Sequence, residues 1–113
     1  MKRNDKKQKI MKWLTLDEIK DQLRIEHDFY DEDRYLELCG KTAEEIVLGY
    51  VDRTYEELCE RYGEFPERAR WASLELVDMY YQRRSPTDSM NLSIVPYGNI
   101  DFLLKPLMKL ANT

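Results

Sequence analysis

Between Pro66 and Pro86 the chain runs without proline or glycine and is apolar over most of a helical circumference. Ala69, Ala72, Leu76, Met79 and Tyr80 recur at three- and four-residue spacing and form one stripe, which Trp71, Leu74, Val77 and Tyr81 widen. A helix so broadly apolar has to be surrounded by the rest of its fold. The spacing therefore predicts a central helix over 66–84, about 30 Å long at 1.5 Å per residue. Pro66 suits its first turn, where a missing amide leaves nothing unpaired. Arg83 and Arg84 favour its carbonyl end, and Ser85-Pro86 stops it.

The other elements are read from their ends. Thr15 with Glu18 is a capping box, with Leu14 and Ile19 placed as a hydrophobic staple. Leu16, Ile19 and Leu23 give this first helix one apolar face, and it is expected to end near Arg24. Asp28 or Asp31 is expected to cap a second helix, with Glu32 and Asp33 in its first turn. Leu36, Cys39, Ala43, Ile46, Val47 and Tyr50 carry its pattern to about Val51. Gly40 and Gly49 each weaken that helix by about 1 kcal/mol relative to alanine, unless they admit a close neighbour. Thr54 with Glu57 is a second capping box, opening a short helix, YEELCERY, that Gly63 closes.

The tail end is different in kind. Residues 85–93 read as a loop. Residues 92–97 are β-like and predict an extended arm or short strand, with Asn99 or Asp101 capping a last helix or turn through Phe102-Leu103-Leu104-Lys105. Pro106 interrupts that helix or begins another. Pro96 stiffens the arm and Gly98 permits a turn. An apolar segment this late has to dock, either on its own helices or on a neighbouring molecule. Its candidate contact residues are Leu92, Ile94, Val95, Pro96, Tyr97, Gly98, Ile100, Phe102, Leu103 and Leu104. The fold class expected is all-α: a small bundle of about four helices with an extended arm near the C-terminus. A basic, disordered leader is expected over 1–12, a helical domain over 13–113, and the arm over 85–113.

Charge is unevenly spread. Residues 1–12 carry six basic side chains and one acidic, a net of +5; the rest carries 12 basic and 21 acidic, a net of −9. An acidic body is not a surface for gripping duplex DNA, which needs clustered Lys and Arg. The leader alone could act as a basic arm on nucleic acid. It lacks the apolar segment of a secretory signal, and no run approaches a membrane span, so the chain is expected to stay in a cytoplasm. Cys39 and Cys59 match no metal or redox spacing and are expected to be free thiols on helix faces.

Chemistry is scarce. His27 with Asp28, Asp31, Glu32 and Asp33 is the one cluster resembling a site, but its spacing fits neither a calcium loop nor a zinc helix. Acids there serve a helix start. No nucleophile elbow, phosphate-cradling loop or dinucleotide fingerprint is present. No catalytic residue, metal ligand or cofactor is therefore assigned. The eight tyrosines, Tyr30, Tyr35, Tyr50, Tyr55, Tyr62, Tyr80 and Tyr81 among them, lie mostly among acids or on core faces. Tyrosine is also enriched where proteins meet.

Several of these segments also resemble, in order, the phage head–tail connector (adaptor) family. The opening helix ends in Leu23-Arg24-Ile25-Glu26. An acidic stretch follows, with Asp28, Asp31 and Asp33, and then a long helix with Leu36 and Ala43. Next come Pro66, Ala69 or Ala72, Leu74 and Leu76, and Tyr80-Tyr81-Gln82-Arg83-Arg84. Last are Val95-Pro96-Tyr97-Gly98 and Leu103-Leu104. The match spans about residues 13–107; the segment TYEELCERYG and the basic leader depart from the pattern. The resemblance implies a structural virion protein without catalysis. Copies would form a ring under the portal protein, extend the channel for double-stranded DNA without reading its sequence, and present a surface to a tail-completion or stopper protein. It implies a place at the head–tail junction, reached from the host cytoplasm. Each subunit of a head-to-tail ring needs two different complementary patches, and the arm is the candidate for one. Deleting 92–113 is then expected to leave a soluble helical monomer that forms no rings. Without the resemblance, the residues also fit a host helical adaptor or a small nucleic-acid-binding regulator working through the leader.

Overall fold

Two threonines set where helices begin. The Thr15 hydroxyl accepts the Glu18 amide at 3.1 Å while the Glu18 carboxylate accepts the Thr15 amide at 3.3 Å; Thr54 and Glu57 repeat this at 3.0 and 2.9 Å. Each pair satisfies two amides that a helix start leaves without partners. The computed structural model describes residues 11–83 and 97–109, the first two of the latter span by their backbone alone. Its helices are α1 (Leu16–Leu23), α2 (Asp33–Val51), α3 (Tyr55–Tyr62), α4 (Glu67–Arg83) and α5 (Tyr97–Leu104), followed by a 3-10 turn at Lys105–Leu107. The chain is all-helical, with no strand among the described residues.

α2 and α4 form the main pair, α1 packs on both, and α5 lies chiefly against α4. Ala69, Ala72, Leu76, Val77 and Met79 of α4 face Leu36, Cys39, Ala43, Val47 and Val51 of α2 in one core. Small residues at 69 and 72 let the two helices approach closely. Cys39 is buried and Cys59 half-buried, and neither is in a disulfide.

Three expectations about the helices are corrected. Neither Asp28 nor Asp31 caps α2: both stay in the preceding loop, and Glu32 takes the N-cap without a capping hydrogen bond. Tertiary partners hold that end instead. Asp33 pairs with Lys20 at 2.9 Å, and Glu32 accepts the Tyr81 hydroxyl at 2.7 Å. Secondly, Asn99 and Asp101 lie inside α5 and do not cap it. Their side chains serve neighbours: Asn99 donates to Glu75, and Asp101 accepts the Tyr50 hydroxyl. Thirdly, Trp71 does not widen the packed stripe. It is 53% exposed, because the core uses the opposite side of α4.

The N-terminal segment is a strap. Met11, Trp13 and Leu14 are buried, so the described fold takes in Met11 and Lys12, which charge alone assigned to the leader. The carboxylate of Glu44, itself 3% exposed, accepts the amides of Lys12, Trp13 and Leu14 at 2.7, 2.8 and 2.9 Å. Trp13 stacks on Phe65 at 4.2 Å and on Tyr55 at 5.9 Å, and its indole N–H donates to the Ser73 hydroxyl at 3.0 Å. Arg70 closes the strap from outside, donating to the Trp13 carbonyl and to Glu18.

The strap explains one glycine. A Cβ on Gly40 would lie 2.3 Å from Met11 Sδ and 2.9 Å from Ile19 Cδ1, whereas a Cβ on Gly49 meets nothing within 4 Å. The two substitutions should therefore have opposite signs. Gly49→Ala should raise the free energy of unfolding by about 0.5–1 kcal/mol. Gly40→Ala should lower it by about 1–2 kcal/mol, overpacking outweighing helix propensity. Urea denaturation followed by circular dichroism checks both; equal shifts would mean that Gly40 is not a seat for Met11.

Candidate assembly surface

The apolar residues of the late segment do not share one fate. Ile100 and Leu104 are 7% and 0% exposed and complete the core with Leu107. Leu103 is half-buried, while Phe102 on the same helix is 68% exposed. Tyr97 and Gly98 begin α5. Leu92, Ile94, Val95 and Pro96 lie outside the described residues, as does the extended element expected over 92–97 apart from Tyr97, which is helical and so corrects that expectation at its end.

α5 is tied down along its length. Glu75 of α4 takes the Asn99 amide at 2.7 and 2.6 Å. Arg68, one turn before Ala72, donates to the carbonyls of Leu103 and Phe102 at 3.1 and 3.3 Å. These are carbonyls at a helix end, where no helical donor remains. The Arg68 guanidinium also lies 5.5 Å from the Phe102 ring centroid, a cation–π contact. The 3-10 turn is fixed to the end of α2: Arg53 donates to the Leu107 carbonyl at 3.0 Å, and the Lys109 amide to the Val51 carbonyl at 2.8 Å. Around Phe102 this leaves an open cleft of about 450 Å³, lined by Arg68, Asp101, Phe102, Lys105 and Pro106.

At the other end of α2 stands the acidic cluster. His27 bonds Asp21 at 2.7 Å through Nε2 and lies 3.8 Å from Asp17 through Nδ1. The Asp21 hydrogen bond holds the imidazole pKa above its ordinary value. The ring is exposed, about half in solvent. Among the described residues no group of three or more His, Cys, Asp or Glu is placed to hold a metal ion, and no helix is long and apolar enough to cross a membrane.

The exposed aromatics were harder to anticipate. Phe29 and Tyr30 are 42% and 67% exposed, in a loop where no helical period offered them a face to bury. That lack of period was the available signal. Trp71 and Leu38 gave none, because each sits within a helix rich in apolar residues.

The fold is a small helical domain with one core, and it leaves aromatic and charged side chains in solvent near both ends of its longest helix. Its sequence matches the family described as Phage gp6-like head-tail connector protein over residues 14–102, nearly all of the described fold, and the chain belongs to that family. It is thus a structural phage protein of the head–tail connector kind. Searches of curated proteins and of solved structures each found no significant match.

Proposed function

We propose that copies of this chain assemble as a ring beneath the portal protein, prolong the channel for double-stranded DNA, and offer the next docking surface to a tail-completion or stopper protein. The family match over residues 14–102 carries this reading. The net charge of −9 on residues 13–113 supports a conduit that does not hold its cargo, since like charge repels phosphate. In this reading the protein gathers in the host cytoplasm and ends at the head–tail junction of the virion. Residues 92–96 with Phe102 remain its proposed contact segment. Ile100, Leu104 and Leu107 are core residues, so deleting 92–113 would test folding before assembly, and point substitutions are the better probe.

Negative-stain microscopy of the full chain mixed with the portal protein of the same phage tests the proposal. Rings stacked on the portal are expected, together with the chain in purified particles. A chain that neither joins the portal nor copurifies with particles would overturn it.

A further inference from the structure

Lys20 is 2% exposed, an unusual place for an ammonium group. Its Nζ donates to the carbonyls of His27 and Phe29 at 3.2 and 2.9 Å, pairs with Asp33 at 2.9 Å and lies 5.0 Å from the Tyr30 ring centroid. A buried charge thus holds one surface loop in a fixed shape. Every residue of that loop, from Glu26 to Asp31, is exposed. The core gains little from it directly. What it fixes is the display of Phe29 and Tyr30 among the carboxylates of Glu26, Asp28 and Asp31.

The cleft at Phe102 has the opposite character. Asp101 in its wall accepts the Tyr50 hydroxyl at 2.5 Å and keeps its charge, so Arg68 and Lys105 outnumber it two to one and the cleft is net cationic beside the ring of Phe102 and Pro106. The loop precedes the first residue of α2, and the segment bearing the cleft is bonded to Val51 and Arg53 at its end. The two surfaces therefore stand at opposite ends of a 19-residue helix, about 28 Å apart along its axis at 1.5 Å per residue.

We infer that the acidic aromatic loop 26–31 of one copy seats in the cationic cleft at Phe102 of the next, so that the chain pairs head to tail with itself. This rests on the connector reading and specifies the ring contact within it. Charge decides the orientation. The body as a whole is acidic, so copies repel one another unless a basic surface meets an acidic one, as the cleft and the loop do. Loop against loop and cleft against cleft both oppose like charges, which disfavours two-fold pairing and favours a heterologous contact that can close into a ring. The loop is already held by Lys20, so little ordering cost opposes the contact.

A charge exchange tests this on the full chain. One variant carries Asp28→Lys and Asp31→Lys; the other carries Arg68→Glu and Lys105→Glu. Sedimentation velocity should show wild type associating, and each variant alone associating about tenfold more weakly or less. Their equimolar mixture should associate again, because every contact in it is complementary. Because Arg68 also bonds α5, Lys105→Glu alone and Phe102→Ser serve as second variants that keep both of its bonds, with circular dichroism confirming the fold. Wild type that stays monomeric to millimolar concentration, variants that associate as wild type does, or a mixture that stays apart would each overturn the inference. So would variants that lose only the portal. If loop and cleft pair but the chain is absent from phage particles, the connector reading fails and this one stands.

Discussion

Replacing Glu44 with alanine should lower the free energy of unfolding by about 3–5 kcal/mol, more than any other single carboxylate change in the described fold. The reason is the number of donors it serves. Three successive amides, of Lys12, Trp13 and Leu14, end on its two oxygens. The strap there is irregular, bent at residues 11–13, and has no helical or sheet partner to replace them. Leu14 and Trp13 are 2% and 6% exposed, so water cannot enter without opening the core. Glu44→Gln should be milder, at about 1–3 kcal/mol, since one carbonyl oxygen remains while an amide nitrogen faces a donor. Urea unfolding measured by circular dichroism decides between them. A loss below about 1 kcal/mol in Glu44→Ala would show that the strap contributes little to the folded state.

The second large effect belongs to Trp13. Trp13→Ala should lower stability by about 3–5 kcal/mol, the range for emptying a buried aromatic site. It removes the stack on Phe65 and Tyr55 and leaves Ser73 without the indole donor. Ser73 keeps its own bond to the Ala69 carbonyl at 2.7 Å, so Ser73→Ala should lose only about 1–2 kcal/mol, mainly from the orphaned indole N–H. The double variant should then be less destabilised than the sum of the two, because each change removes the same bond. Strict additivity would mean that the indole and the hydroxyl are not energetically joined. For Ser73→Ala, which keeps Trp13, a Trp71→Phe background leaves Trp13 as the sole tryptophan reporter, since the chain has two.

Helix starts with a local chemical code were readable from sequence. Thr15–Glu18 and Thr54–Glu57 are self-contained, and each forms the reciprocal pair its spacing implies. The end of α3 at Gly63, with φ +85°, is equally local. The start of α2 was not readable because four acids compete for it and the choice is made by Lys20 and Tyr81, respectively 13 residues before Asp33 and 49 after Glu32. α5 begins ahead of Asn99 because Glu75 and Tyr50 engage the two side chains that looked like caps. Trp71 was misplaced for a related reason. A helix apolar on most sides does not announce which side its partners choose. The contact residues divided similarly: apolar character marked Ile100, Phe102 and Leu104 alike, while packing on α2 and α4 separates the buried pair from the exposed ring. The buried lysine that shapes loop 26–31 was illegible, since nothing in a sequence says that a charge will be enclosed.

The strap has a bearing on synthesis. Trp13 leaves the ribosome 60 residues ahead of Ser73 and more than 30 ahead of Glu44, whose carboxylate receives its amide. At about 5–20 residues per second, the indole waits roughly 3–12 s for its acceptor to be made. During that interval the nascent chain exposes its stickiest ring with no burial site yet in existence. A segment translated well before its partners is thus among the last to settle, and a transcript cut short before Ser73 yields a peptide with a permanently homeless tryptophan, a ready mark for chaperones and proteases.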